Sequence, residues 1–137
     1  MAKGGMGALL AAMLGAMLLL AGCGAQAEPP RDFDAGGDAN RGRQAIVEYG
    51  CNACHTVPGI TRADATVGPP LTAWAERSTI AGQFPNQPQT LVAWIQNPQA
   101  MKPGTIMPNT GISEEDARNV AQYLYTLHAN TARLPWP

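Results

Sequence analysis

Large aliphatic and aromatic side chains are scarce beyond the first 22 positions of this 137-residue chain. From residue 23 onward, Leu, Ile, Val and Phe together number 18 of 115, while Ala alone numbers 17. That is below what a self-sufficient globular core ordinarily holds. A staple is therefore expected: disulfides, a metal or a bulky cofactor. An excess of one charge is missing too. Nine Lys and Arg stand against ten Asp and Glu, which excludes a basic nucleic-acid binder. The low charged fraction also excludes a charge-expanded disordered chain. Alternating β-branched runs are nearly absent, so the sequence predicts an all-α domain. The length allows one modest domain, without internal repeats.

One long apolar run is present, Ala8 to Ala21, preceded by Lys3 and followed by Gly22. It has the n-region and h-region of an export signal and is too short for an ordinary spanning helix. Leu20-Ala21-Gly22-Cys23 resembles the lipobox of bacterial lipoproteins. That resemblance implies cleavage before Cys23, acylation of its sulfur and stable anchoring by two or more acyl chains. A plain signal peptide with an incidental Cys, or an uncleaved anchor, is the alternative. Residues 1–22 are thus read as the signal, and 23–37 as the lipidated Cys and a flexible linker of roughly 20 Å reach. Residues 38–130 are the folded domain and 131–137 a C-terminal tail.

Within the domain, Asp38 is a plausible N-cap for a helix with Ala45, Ile46 and Tyr49 on its apolar face, ended by Gly50. Thr56 to Pro70 reads as loop, and a short helix is expected over Leu71 to Glu76. Pro85 to Pro88 reads as a turn, with Pro88 at the N1 position of a helix carrying Leu91, Trp94 and Ile95. Ser113 caps the last helix, whose acidic first turn suits its positive end. Ala117, Val120, Ala121, Leu124 and Leu127 line one face.

Cys51-Asn52-Ala53-Cys54-His55 carries the chemistry. Two thiols at C-x-x-C spacing can add across the two vinyl groups of a haem, and the following His is then held against the iron. A thioredoxin-like use of the motif needs a βαβ setting that the sequence does not offer. A zinc site needs four ligands, and His128 is the one further candidate of the usual kind. A Cys51–Cys54 disulfide would close a loop too small to staple much. One covalent haem c is the expected cofactor. Beyond the signal, Met101 and Met107 are the two methionines. Met107 stands in the rigid loop Pro103-Gly104-Thr105-Ile106-Met107-Pro108, suited to present a sulfur to the iron, which makes His55 and Met107 the expected metal ligands. Met101 reads as packing filler, and His128 as an exposed residue offering a weaker bis-His option.

These motifs, with Gly68-Pro69, Leu91-x-x-Trp94-Ile95-x-Asn97-Pro98 and Pro103-Gly104-x-x-Met107, resemble a class I cytochrome c from about Gly37 to His128. Ile80-Ala81-Gly82, Pro85-Asn86, Pro98-Gln99 and Met107-Pro108 resemble, within that family, the cytochrome domain of caa3-type oxidase subunit II. The resemblance implies a small class I cytochrome c fold of helices and loops around the haem, with Gly42 and Tyr49 on the first helix crossing Tyr123 and Leu124 on the last. It implies that the Pro69 carbonyl accepts the Nδ1–H of His55 and orients its ring. Trp94 matches a position where relatives place a Tyr beside the Met sulfur, and packing against the haem is the favoured role here. Trp74 and Arg77 are candidate donors to the haem propionates, although Arg77 reads equally as a solvated helix residue.

The resemblance implies a one-electron carrier rather than an enzyme, working at the outer face of a bacterial membrane in a respiratory chain. Its expected partners are redox proteins: a terminal oxidase, an upstream dehydrogenase or a bc1-type complex. Neither nucleic acid nor a small-molecule substrate is expected. Lys102 is the sole Lys beyond residue 22, so docking is expected to be apolar and weakly salt-sensitive. A fixed subunit of an oxidase or periplasmic dehydrogenase is the alternative. A haem peroxidase or gas-binding protein is a further reading, against which stands the lack of a distal acid–base pair.

Overall fold

The computed structural model describes residues 33–130. Helix α1 runs Ala39–Glu48. Asp38 caps it as expected, its carboxylate accepting from the amides of Asn40 and Arg41 at 2.7 and 3.1 Å. The helix stops at Tyr49, and Gly50 turns left-handed at φ 71° into a 3-10 turn over Cys51–Ala53. A second 3-10 turn spans Trp74–Glu76. Strands β1 (Thr79–Ile80) and β2 (Phe84–Pro85) pair antiparallel, with Ile80 opposite Phe84. Helices α2 (Pro88–Gln96), α3 (Pro98–Met101) and α4 (Glu114–Tyr125) complete the domain. The fold is all-α apart from that miniature hairpin. No helix among the described residues is long and apolar enough to cross a membrane.

Two expectations are corrected. Leu71 to Glu76 does not form a short α-helix. Ala73 sits left-handed at φ 50°, which breaks helical continuity and leaves the three-residue turn Trp74–Glu76. Pro85 to Pro88 is not a free-standing turn either. Pro85 closes the hairpin opposite Thr79, and the reversal between Ile80 and its partner Phe84 uses two left-handed residues, Ala81 and Gly82.

The frame is the crossing of α1 and α4. A Cβ on Gly42 would lie 1.9 Å from the Asn119 carbonyl oxygen and 3.0 Å from Tyr123 Cβ. Glycine there lets the two backbones meet. Asn119 Oδ1 also accepts from the Asp38 amide at 2.8 Å, which fixes the start of α1 on the side of α4. Ser113 caps α4, its hydroxyl accepting from the Asp116 amide at 3.0 Å. Two of the last five residues of the expected linker pack onto the domain. Ala35 is buried and donates its amide to Gln122, and the Phe33 ring lies 4.9 Å from that of Tyr125.

The buried core is one cluster drawn from α1, α2, α4 and the loops, including Ile46, Leu71, Trp74, Leu91, Trp94 and Leu124. Every one of these six also faces a cavity.

Candidate functional site

The cavity measures about 500 Å³, within the roughly 300–1,000 Å³ typical of ligand and cofactor sites. Its walls are mostly aliphatic and aromatic. Cys51, Cys54, His55, Pro69, Trp74, Trp94 and Met107 all line it. The sequence therefore named seven residues, far apart in the chain, that the fold brings to one surface. Cys23 lies outside the described residues.

The C-x-x-C-H segment leaves α1 through the Gly50 reversal. The His55 amide then donates back to the Cys51 carbonyl at 3.0 Å, curling both thiols and the imidazole to one side. Both thiols are free, and burial pushes that of Cys51 upward, so it is held as the neutral thiol. His55 Nδ1 lies 2.7 Å from the Pro69 carbonyl oxygen. A carbonyl can only accept, so Nδ1 carries the proton and Nε2 keeps its lone pair for a metal. The ring is seated against Gly68, where a Cβ would fall 2.4 Å from Cε1 and 2.7 Å from Nδ1. The Gly68 amide donates to the Cys54 carbonyl at 2.7 Å and that of Leu71 to the Thr56 carbonyl at 2.8 Å. These bonds stitch the loop that orients the imidazole to the segment that bears it.

Trp74 is buried, and its indole N–H has no hydrogen-bond partner. An enclosed donor left unmatched costs about 1–3 kcal/mol unless an acceptor meets it. On this cavity wall it is suited to an anionic group of an occupant. Arg77 is placed differently. Its Nη2 donates to the carbonyls of Pro70 and, at 3.1 Å, Thr72, and the guanidinium lies 5.0 Å from the Trp74 ring centroid. It braces the loop and Trp74 from behind instead of facing the cavity. Trp94 is buried on the cavity wall with its ring 6.0 Å from that of Phe84.

Met107 is half-buried in its loop, whereas Met101 ends α3 and packs on the core as filler. His128 is half-buried rather than exposed. Its Nδ1 lies 3.2 Å from Glu76, which also accepts from the Ala129 amide at 3.1 Å, so the close of α4 folds back onto the Trp74–Glu76 turn. It does not join the cavity. Among the described residues no three His, Cys, Asp or Glu side chains gather as a metal-ion site of their own.

Three features escaped the sequence reading. Asn86, 1% exposed, donates to the Trp74 and Arg77 carbonyls at 3.1 and 3.0 Å and accepts from Tyr125 OH at 3.0 Å, fastening the Trp74 turn to α4. Tyr49, on the cavity wall, donates to Asp116 at 2.9 Å. Gln99 donates to the carbonyls of Thr105 and Met107. Short polar side chains among prolines give no periodic signal, and only the fold reveals their partners.

The residues present fit a large, flat, mostly apolar cofactor. It would be joined through two thiols, offered an imidazole nitrogen and a thioether sulfur, and met at an anionic edge by an indole N–H. Comparison with known proteins agrees. The family model for cytochrome c matches residues 39–128, which takes in both crossing helices and the cavity. The chain is 42% identical over 90 residues to cytochrome c oxidase subunit 2 of Alkalihalophilus pseudofirmus, covering 65% of this chain and 25% of that protein. It is 31% identical over 97 residues to cytochrome c oxidase subunit 2 of Bacillus subtilis, covering 68% and 27%. The chain thus spans about a quarter of the length of these curated relatives. With its helix crossing, its thiol and imidazole wall and its family match over the same residues, the chain belongs to the cytochrome c family as a class I cytochrome c, a haem-bearing electron-transfer module.

Proposed function

We propose that the chain carries single electrons on one haem c, joined by thioethers to Cys51 and Cys54 and ligated by His55 and Met107. The haem supplies the one-electron redox chemistry. The observation that carries the reading is the shared wall: two thiols, a carbonyl-oriented imidazole and the Met107 loop line one apolar cavity. Pro69 holds the His55 ring in one orientation in both oxidation states, and the stitched loop resists its movement. His55 and Met107 would hold the iron with side chains already fixed by their loops, an arrangement that would keep reorganisation small and leave no position for a substrate. Leu71, Leu91, Trp94 and Leu124 exclude water from the haem faces. No carboxylate lines the cavity among the described residues, which speaks against acid–base turnover of peroxide.

The wider placement rests on the sequence for the tether and on the similarity to the relatives for the partner. Export and acylation at Cys23 tether the domain to the outer face of a bacterial membrane. The similarity to cytochrome c oxidase subunit 2 supports a terminal oxidase as electron acceptor in a respiratory chain. At the cavity mouth Val67 and Ile106 are exposed, 66% and 83%, and Lys102 is the one formally charged side chain among the described lining residues. Docking there is apolar, so the transfer rate changes little between low and moderate salt. A steep loss of rate with salt would contradict this surface.

Mass analysis of the native protein tests the reading. It is expected to show haem mass on Cys51 and Cys54, acylated Cys23 and loss of residues 1–22; an unmodified Cys51/Cys54 pair would refute it. The same oxidase similarity favours a second reading, a fixed oxidase subunit that relays the same electron. Co-purification with a membrane complex in mild detergent separates it from a mobile carrier.

A further inference from the structure

The loop that bears Met107 is poorly held by its own backbone. Pro103 and Pro108 have no amide to donate, and Gly104 is left-handed at φ 82°. Thr105 donates to the Lys102 carbonyl at 3.1 Å. Beyond it, among the described residues, no backbone–backbone hydrogen bond holds the chain until α4 begins. Side-chain packing does not replace it at the next position, because Ile106 is exposed. One side chain spans the gap. Gln99, half-buried on α3, donates from Nε2 to the Thr105 carbonyl at 2.6 Å and to the Met107 carbonyl at 2.8 Å. Its own amide donates to Asn109 Oδ1 at 3.4 Å, on the far side of Met107.

We propose that Gln99 is a positioning residue for Met107, its carboxamide clamping the loop so that the thioether is presented to the iron. The inference rests on the reading of Met107 as axial ligand. Both N–H groups of the amide are engaged, one two residues before the Met107 carbonyl and one at that carbonyl itself. A primary amide of this length is the one uncharged side chain that supplies two donors from a single nitrogen at this reach. Glu has the same shape but turns an acceptor toward two carbonyls, and Met has the length without the donors.

The test is ligand competition on ferric holoprotein, with imidazole as the probe that displaces Met107. Wild type, Gln99→Glu and Gln99→Met are compared by imidazole titration, by the Met-to-iron charge-transfer band and by thermal unfolding. Both variants are expected to bind imidazole about tenfold more tightly, equal to ~1.4 kcal/mol, and to show a weakened band. Asn109→Ala, which loses the longer bond, gives a smaller change in the same direction. Lowered unfolding stability with imidazole affinity within about twofold of wild type would make Gln99 merely structural and overturn the proposal. If either variant does not fold, the other and Asn109→Ala decide by the same criterion. Met107→Ala distinguishes the underlying reading: it abolishes the band and binds imidazole tightly. Retention of the band in Met107→Ala would refute Met107 as ligand, and the clamp with it.

Discussion

Replacing Gly68 by Ala adds one methyl group against the His55 ring. The new Cβ would stand 2.4 Å from Cε1, 2.7 Å from Nδ1 and 3.0 Å from Nε2, where ordinary carbon contacts lie at about 3.5–4.0 Å. Gly68 has no left-handed φ, so alanine suits its backbone and the effect is purely steric. Either the ring or the loop must withdraw by roughly an ångström. Ring movement breaks the 2.7 Å bond from Nδ1 to the Pro69 carbonyl. Loop movement breaks the bonds from the amides of Gly68 and Leu71 to the carbonyls of Cys54 and Thr56. Overpacking costs about 1–3 kcal/mol, and one lost hydrogen bond about 1 kcal/mol. Together they predict a loss of roughly 2–4 kcal/mol. At about 4–8 °C per kcal/mol for a domain near this size, Tm falls by at least about 8 °C.

A second readout separates this from general damage. An imidazole no longer bonded to a carbonyl donates less strongly to iron. The ferric state loses more than the ferrous state, so the reduction potential of Gly68→Ala rises. Denaturation of the ferric holoprotein and a redox titration measure the two effects. Unchanged Tm together with an unchanged potential would show that the ring is not seated against Gly68, and would remove the orienting role assigned to Pro69.

Gly42→Ala places a Cβ 1.9 Å from the Asn119 carbonyl oxygen, a backbone atom that no side-chain rotation can move away. The loss is expected to reach about 3 kcal/mol or more, measured by denaturant unfolding; a loss below about 1 kcal/mol would contradict the helix crossing. The Ser113 hydroxyl, and then that of Tyr49, hold the Asp116 carboxyl below the usual range. A depressed folded value stabilises above the unfolded value of about 3.9 and is lost as pH falls through the folded one. The same bond to Asp116 raises Tyr49, whose contribution is present below about pH 10 and lost above it. Asp116→Asn should therefore flatten both the acid and the alkaline limb of the Tm–pH profile, and unchanged limbs would refute the coupling. A haem-free Cys51→Ala/Cys54→Ala chain should lack a cooperative unfolding transition, and a sharp one by near-UV circular dichroism would contradict the dependence of the core on haem.

What the sequence shows and what it hides follow a physical line. Asp38 and Ser113 were legible because a cap is a local contact between a short oxygen side chain and amides two or three residues on. That Cys51, Cys54 and His55 share one surface was legible because a C-x-x-C-H run turns its three side chains together. Leu71–Glu76 was misread as helix because Ala73, an excellent helix former, stands left-handed at φ 50°. His128 was misread as exposed because its partner, Glu76, lies 52 residues away. Asn86 and Gln99 stand in short runs that carry the family resemblance, but nothing local in those runs tells what the two amides do. Their meaning lies in carbonyls that the fold brings within reach of an amide.

The scarcity of large apolar residues also acquires a location. Ile46, Leu71, Trp74, Leu91, Trp94 and Leu124 are among the buried core, yet each turns a side to the same 500 Å³ cavity. Adding aliphatic residues to close the gap would have stabilised the chain and removed the site. The shortage is thus the counterpart of the proposed cofactor: the wall that lacks protein neighbours is the wall a haem would cover, so the chain's stability is expected to depend on the haem it carries.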